Sequence, residues 1–136
     1  MRIMAFDYGT KRIGVAVTDP LQIIASPLRT VHPLEVWTFI EDYLKTEQVE
    51  TFVVGLPRQT DGSPSPSAQH VVGFVRKLKK TYPQISVVEV DERFTSKMAE
   101  RSLKDVSYTK TRSNQKEVVD QIAATFILQS FLEQSK

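Results

Sequence analysis

Four acidic residues stand where folding can gather carboxylates. Asp7 closes an apolar run that begins at Arg2, Asp91 and Glu92 follow the apolar run Ile85–Val90, and Asp120 lies between Val119 and Ile122. Three converging carboxylates cannot all stay ionised without a counter-charge. Hard oxygen donors with no soft partner suit Mg²⁺ or Mn²⁺. Two such ions, about 3.5–4 Å apart, are a common device for phosphodiester hydrolysis. Each residue also has a plainer use. Asp7 can accept backbone N–H groups from the turn at Gly9. Asp91 or Glu92 can cap a following helix or pair with Arg93. Asp120 can bond Lys116 one helical turn earlier. Taken singly, the two uses are evenly matched; three acidic positions at compatible places favour the metal site.

Cations surround these positions. Lys11 and Arg12 follow Asp7, Arg93 follows Glu92, and Lys116 precedes Asp120 by four residues. Lysine meets phosphate as a point charge and arginine can grip it bidentately. Arg12 divides evenly between phosphate contact and an exposed strand position. Arg93 can steer a phosphate or hold Glu92. Lys110 and Arg112, in a polar stretch without periodicity, suit nucleic-acid backbone contacts, which give affinity without sequence information. The span from Arg93 to Lys116 carries a net charge of +5, whereas that from Glu35 to Glu50 carries −4. Charge alone favours a solvated face for the basic span. Tyr8 and Tyr108 can stack on bases, though Tyr8 suits packing in the turn equally. Trp37 falls on an apolar helical stripe and reads as core. His32 and His70 lack metal-ligand spacing and are assigned to no site.

The elements that must position these groups are legible in outline. Arg2–Phe6 and Ile13–Thr18 read as antiparallel strands around Gly9, and Ile23–Val31 as a third strand that Pro27 makes an edge or a bulge. Leu34, Trp37, Ile40 and Leu44 recur with helical spacing behind Pro33. Thr51–Gly55 reads as a strand buried on both faces. Leu56–Pro66 is a proline-rich loop, followed by a helical stripe through Ala68, Val71, Val72, Val75 and Leu78. Ile85–Val90 is a further strand. Thr95–Lys104 reads as helical, Asp105–Ser113 as a loop, and Asn114 to about Glu133 as a long helix with Ser113 or Asn114 as its N-cap. The order βββ-α-β-α-β-α-α predicts an α/β fold, a mixed sheet of five strands flanked by helices, with an antiparallel meander first and right-handed crossovers after it. The first and last strands are expected to lie parallel with their C-terminal ends side by side, where open α/β sheets place their sites. Asp91 and Glu92 point to opposite faces if that strand persists, and strand geometry does not choose between them.

With 136 residues and no internal repeat, one domain spanning 1–136 is expected. The absence of cysteine excludes disulfides and cysteine-bound zinc, and the sequence lacks a signal-peptide pattern or a membrane-length apolar run. A cytoplasmic protein without membrane contact is expected.

The segment Asp7-Tyr-Gly-Thr-Lys-Arg-Ile-Gly-Val-Ala-Val-Thr-Asp19 closely resembles the first motif of the YqgF/RuvX family. Val54-Gly-Leu-Pro57 with Asp61-Gly62-Ser63, Asp91-Glu92-Arg93-Phe-Thr95, and Lys116-Glu-Val-Val-Asp120-Gln-Ile-Ala-Ala124 followed by Ile127-Leu128 resemble its other motifs, in the same order. The resemblance implies an RNase H-like fold and a divalent-metal-dependent nuclease. It implies Asp7, Glu92 and Asp120 as the catalytic metal carboxylates, with Glu92 chosen over Asp91 by the motif. The implied substrate is the 5′ end of pre-16S ribosomal RNA, in ribosomal particles. Alternatives are a Holliday junction resolvase acting on branched DNA and a non-catalytic RNA- or ribosome-binding protein. Monomer and homodimer are both open. Thr18 stands where many members have serine, and Arg58-Gln59-Thr60, Pro64 and Pro66 depart from the usual loop, which bears on substrate contact there. The Asp7-Tyr-Gly-Thr segment also fits the first phosphate loop of the actin/Hsp70 ATPase fold, but 136 residues leave no room for that fold's second lobe.

Overall fold

A computed structural model describes residues 1–9, 11–56, 68–91 and 112–134 of the chain. Alternating apolar residues build a five-stranded sheet from β1 (Arg2–Tyr8), β2 (Ile13–Thr18), β3 (Ala25–Val31), β4 (Val49–Leu56) and β5 (Ser86–Asp91). The strand order is β3-β2-β1-β4-β5. The β1–β2 and β2–β3 pairs are antiparallel, and the β1–β4 and β4–β5 pairs are parallel. The expected mixed sheet with its opening meander is therefore present. One expectation needs correction. β1 and β5 are parallel but not adjacent, because β4 lies between them. Two strand spacings, about 10 Å, therefore separate their backbones.

Strand alternation divides the interior into two layers. Met4 and Phe6 of β1, Ile13, Val15 and Val17 of β2, and Phe52 and Val54 of β4 pack with helices α1 (Val36–Thr46) and α2 (Ala68–Thr81). Rings tie this layer together: Phe6 lies 5.7 Å from Phe52 and 5.3 Å, edge-on, from Phe74. Ile3 and Ala5, Ala16, Val53 and Val90 face the other way, onto α3 (Arg112–Gln134), through Ala124, Ile127, Leu128 and Leu132. The helical spacing of that stripe starts at Asp120. Small residues Ala123 and Ala124, both fully buried, let α3 lie close to the strands.

Boundaries differ from the sequence reading where side chains compete for backbone groups. β3 begins at Ala25 rather than Ile23. The Asp19 carboxylate accepts the N–H groups of Leu21, Ile23 and Ile24, which draws Ile23 and Ile24 into a loop. Pro27 lies on the sheet-edge strand, beside a register shift that leaves Leu28 bulged. α1 starts at Val36, and Leu34 is 84% exposed. The N–H of Leu34 goes to His32 Nδ1 and that of Glu35 to the His32 carbonyl, forming a turn instead of a first helical turn. α3 begins at Arg112, two residues before the expected start, a shift within the usual fraying range. The expected helix Thr95–Lys104 and the loop up to residue 111 lie outside the described residues. Among those described, no helix is long and apolar enough to cross a membrane.

Candidate active site

β1, β4 and β5 all run toward the same end of the sheet. Asp7 is the penultimate residue of β1. It shares parity with Ile3 and Ala5, so it belongs to the face that α3 covers. Its partner across the antiparallel ladder is Gly14 of β2. A Cβ at Gly14 would collide with the carbonyl oxygen of Asp120. The missing side chain is what lets the α3 backbone settle on β2 at this level, with Asp120 over the ladder partner of Asp7. Gln121 fastens the same turn, its amide donating to Thr30 Oγ1 of β3 at 3.2 Å.

On the other flank of Asp7 stands β4. The pair Phe6–Val54 places the next β4 residue, Gly55, level with Asp7. Gly55 has the parity of Val53 and therefore belongs to the α3 face. Asp7 thus has a glycine on each side of it in the sheet. The one in β2 admits α3. Gly55 pairs in turn with Val90. Val88 and Val90 pack on the α3 side, and the strand ends with Asp91.

Arg12 has a definite place. Its Nε donates to Asp120 Oδ2 at 2.6 Å, with the two side chains 39% and 19% exposed. Asp120 therefore pairs with an arginine from the β1–β2 connection. Lys11 is exposed in the same connection. Arg112 and Lys116 sit on the first turns of α3, before Asp120, and their side chains lie outside those described. Glu92, Arg93, Lys110 and Tyr108 lie outside the described residues. No group of three His, Cys, Asp or Glu able to hold a metal is found among the described residues. Asp7 and Asp120 are hard oxygen donors, of the kind that suits Mg²⁺ or Mn²⁺.

Sequence reading passed over Gly14 and Gly55. The signal was available: a glycine inside an apolar strand run marks a close approach of another backbone or a ligand. Trp37 packs against the core as expected, yet is only half-buried. Tyr8 stacks its ring at 4.9 Å from Phe74.

Residues 1–134 match the family described as "RuvX: Holliday junction resolvase". A protein of Christiangramia forsetii, named "Putative pre-16S rRNA nuclease", is 50% identical over 131 residues, covering 96% of this chain and 97% of that one. A protein of Amoebophilus asiaticus with the same name is 46% identical over 135 residues, covering 99% and 96%. In the fowlpox virus resolvase bound to Holliday junction DNA, the fold recurs at a TM-score of 0.59 and 17% identity, over 99% of both chains. The architecture is RNase H-like.

Proposed function

The chain belongs to the RuvX family, and on that premise we propose that it is a nuclease hydrolysing phosphodiester bonds in structured nucleic acid, with the 5′ region of pre-16S rRNA as substrate. The observation that supports this reading is the seat of the Asp120 backbone on Gly14, the ladder partner of Asp7, at the C-terminal end of the parallel strands. Glu92 is the third carboxylate of the proposal. The family motif chooses it over Asp91.

Asp7, Glu92 and Asp120 would hold Mg²⁺ or Mn²⁺, which, when bound, lowers the pKa of water and stabilises charge on the leaving oxygen. The chain's own groups do the rest. Arg12 pairs with the Asp120 carboxylate through its 2.6 Å bond and keeps a positive charge beside the site. Lys11, Arg93, Lys110, Arg112 and Lys116 hold the phosphate backbone of the substrate, and α3 excludes water from the sheet behind the carboxylates. The protein acts in the cytoplasm, where precursor ribosomal particles are its partners, as a monomer or homodimer.

The test compares wild type with Asp7→Asn on pre-16S transcripts and on four-way DNA junctions. Transcript cleavage falling by about 100-fold or more in Asp7→Asn, the scale of losing one electrostatic stabiliser, is expected. Unchanged processing would remove the catalytic assignment, as a non-catalytic RNA-binding protein requires. The family's description as a resolvase favours a second reading, the four-way junction. Exclusive cutting of the junction would establish it over RNA.

A further inference from the structure

A pocket of about 320 Å³ opens on the opposite face of the sheet from Asp7, at the same end. That is the volume of a small ligand site. Tyr8, the residue after Asp7, lines it together with Trp37 of α1 and Phe74 of α2. The buried Phe74 ring lies 4.9 Å from Tyr8 and 5.4 Å from Trp37, and backs these two part-exposed rings at the pocket. Lys77 closes one side with its Nζ 4.4 Å from the Trp37 ring centroid. Gln69 and His70, on the first turn of α2, bring hydrogen-bonding groups to the rim. Among the described residues their side chains have no hydrogen-bond partner.

Gly73 is the remaining clue. It lies in the interior of α2 and lines the pocket. A Cβ there would meet nothing within 4 Å. Interior helix glycines are unfavourable relative to alanine. Packing gives no reason for this one, but an open pocket does: any side chain at position 73 would project into it. The surroundings are also cationic. Lys77 lines the pocket and, among the described residues, no acidic residue does, and α2 has no acidic residue in its first turn. Helix N-termini of that kind favour anions.

We propose that this pocket receives an unpaired nucleobase of the substrate strand, stacked on the part-exposed rings of Tyr8 and Trp37 with its phosphate toward Lys77. Aromatic stacking accepts any base, and Gln69 and His70 read its edge. Because Tyr8 and Asp7 are consecutive, a strand bent over the tip of β1 presents one phosphate to Asp7 and a nearby base to the pocket. The pocket therefore selects single-stranded segments next to the cleaved bond; this role rests on the nuclease reading above.

Trp37 is the only tryptophan of the chain, so its emission reports on the pocket alone. The full-length protein in EDTA is titrated with a short single-stranded oligoribonucleotide, with the same strand fully paired, and with nucleoside 5′-monophosphate. Saturable quenching by the single strand, at least about tenfold tighter than by duplex or mononucleotide, is expected. Gly73→Leu, which fills the pocket with a good helix former, should weaken that binding at least tenfold while the melting temperature holds or rises. Equal binding of duplex, equal binding of mononucleotide, or Gly73→Leu binding like wild type each overturns the proposal. Metal-dependent transcript cleavage without single-strand quenching would remove the pocket and leave the nuclease. Quenching that Gly73→Leu abolishes, in a protein that cuts no substrate, would keep the pocket and remove the nuclease.

Discussion

At the scale of single residues, Arg12 and Asp120 form the contact that sequence spacing could not reveal. They are 108 positions apart and meet only because α3 crosses β2. Reading along the chain offered Asp120 a neighbour four residues away, Lys116, since helical periodicity is local. The observed partner changes what Arg12 does. With its Nε on Asp120 Oδ2, Arg12 is the resident counter-charge of that carboxylate. A nearby cation opposes a second one. Arg12→Gln is therefore expected to tighten Mn²⁺ binding, on the order of tenfold for a partly exposed charge of this kind. Calorimetric Mn²⁺ titration measures it. Weaker Mn²⁺ binding in the variant would instead make Arg12 a support that Asp120 needs in order to coordinate.

At the scale of elements, most of the sheet was legible because strands here are short apolar runs between clear turns. The existence of β1 to β5 and their directions follow from that pattern and from the handedness of crossovers. The place of β4 between β1 and β5 does not, because strand order depends on which faces the helices must cover. Nor was the seat of α3 legible, since it depends on a single missing Cβ. Gly14→Ala is expected to push α3 off β2 at Asp120 and destabilise the fold by about 1–3 kcal/mol, the usual cost of overpacking. Denaturant melts read this directly, and an unchanged midpoint would mean that α3 does not need Gly14. The turn after β2 makes a second case. The N–H of Ile24, ahead of those of Ile23 and Leu21, holds the Asp19 carboxyl below its ordinary range, against desolvation that raises it. A lowered folded-state pKa contributes stability that is complete above the ordinary aspartate range and is lost as pH falls through the lowered value. An NMR titration should place the Asp19 midpoint below an ordinary aspartate, with the Ile23 and Ile24 amide shifts following it. An ordinary midpoint would mean that these bonds do not hold the loop.

At the scale of the whole molecule, the two ends of the sheet have different chemistry. One end is tied down. Arg2 bonds Glu47 at 3.0 Å and the Thr18 carbonyl at 2.9 Å, and the buried Thr18 hydroxyl accepts the Ile3 N–H. Lys79 and Lys80 stand in the last turn of α2 at this end, where cations complement the helix dipole. The other end carries Asp7, Asp120 and the aromatic pocket, and the three helices of the described residues begin there. α1 and α2 each start beyond a strand that finishes at that end, and α3 starts eight residues before Asp120 and then runs back over the sheet to Leu132. Three helix N-termini bias this end toward anions, and the first turns of α3 add Arg112 and Lys116. A formal net charge of only +2 hides this polarity. It predicts which cations a bound strand displaces salt from. Log affinity for single-stranded RNA should fall linearly with log salt, each phosphate contact contributing a slope of about −0.7. Replacing both Arg112 and Lys116 with Gln should shallow that slope by roughly 1.4. Replacing both Lys79 and Lys80 with Gln removes the same charge from the opposite end and should leave the slope unchanged. Equal effects from the two pairs would mean that nucleic acid responds to the total charge of the protein rather than to the end that bears the carboxylates.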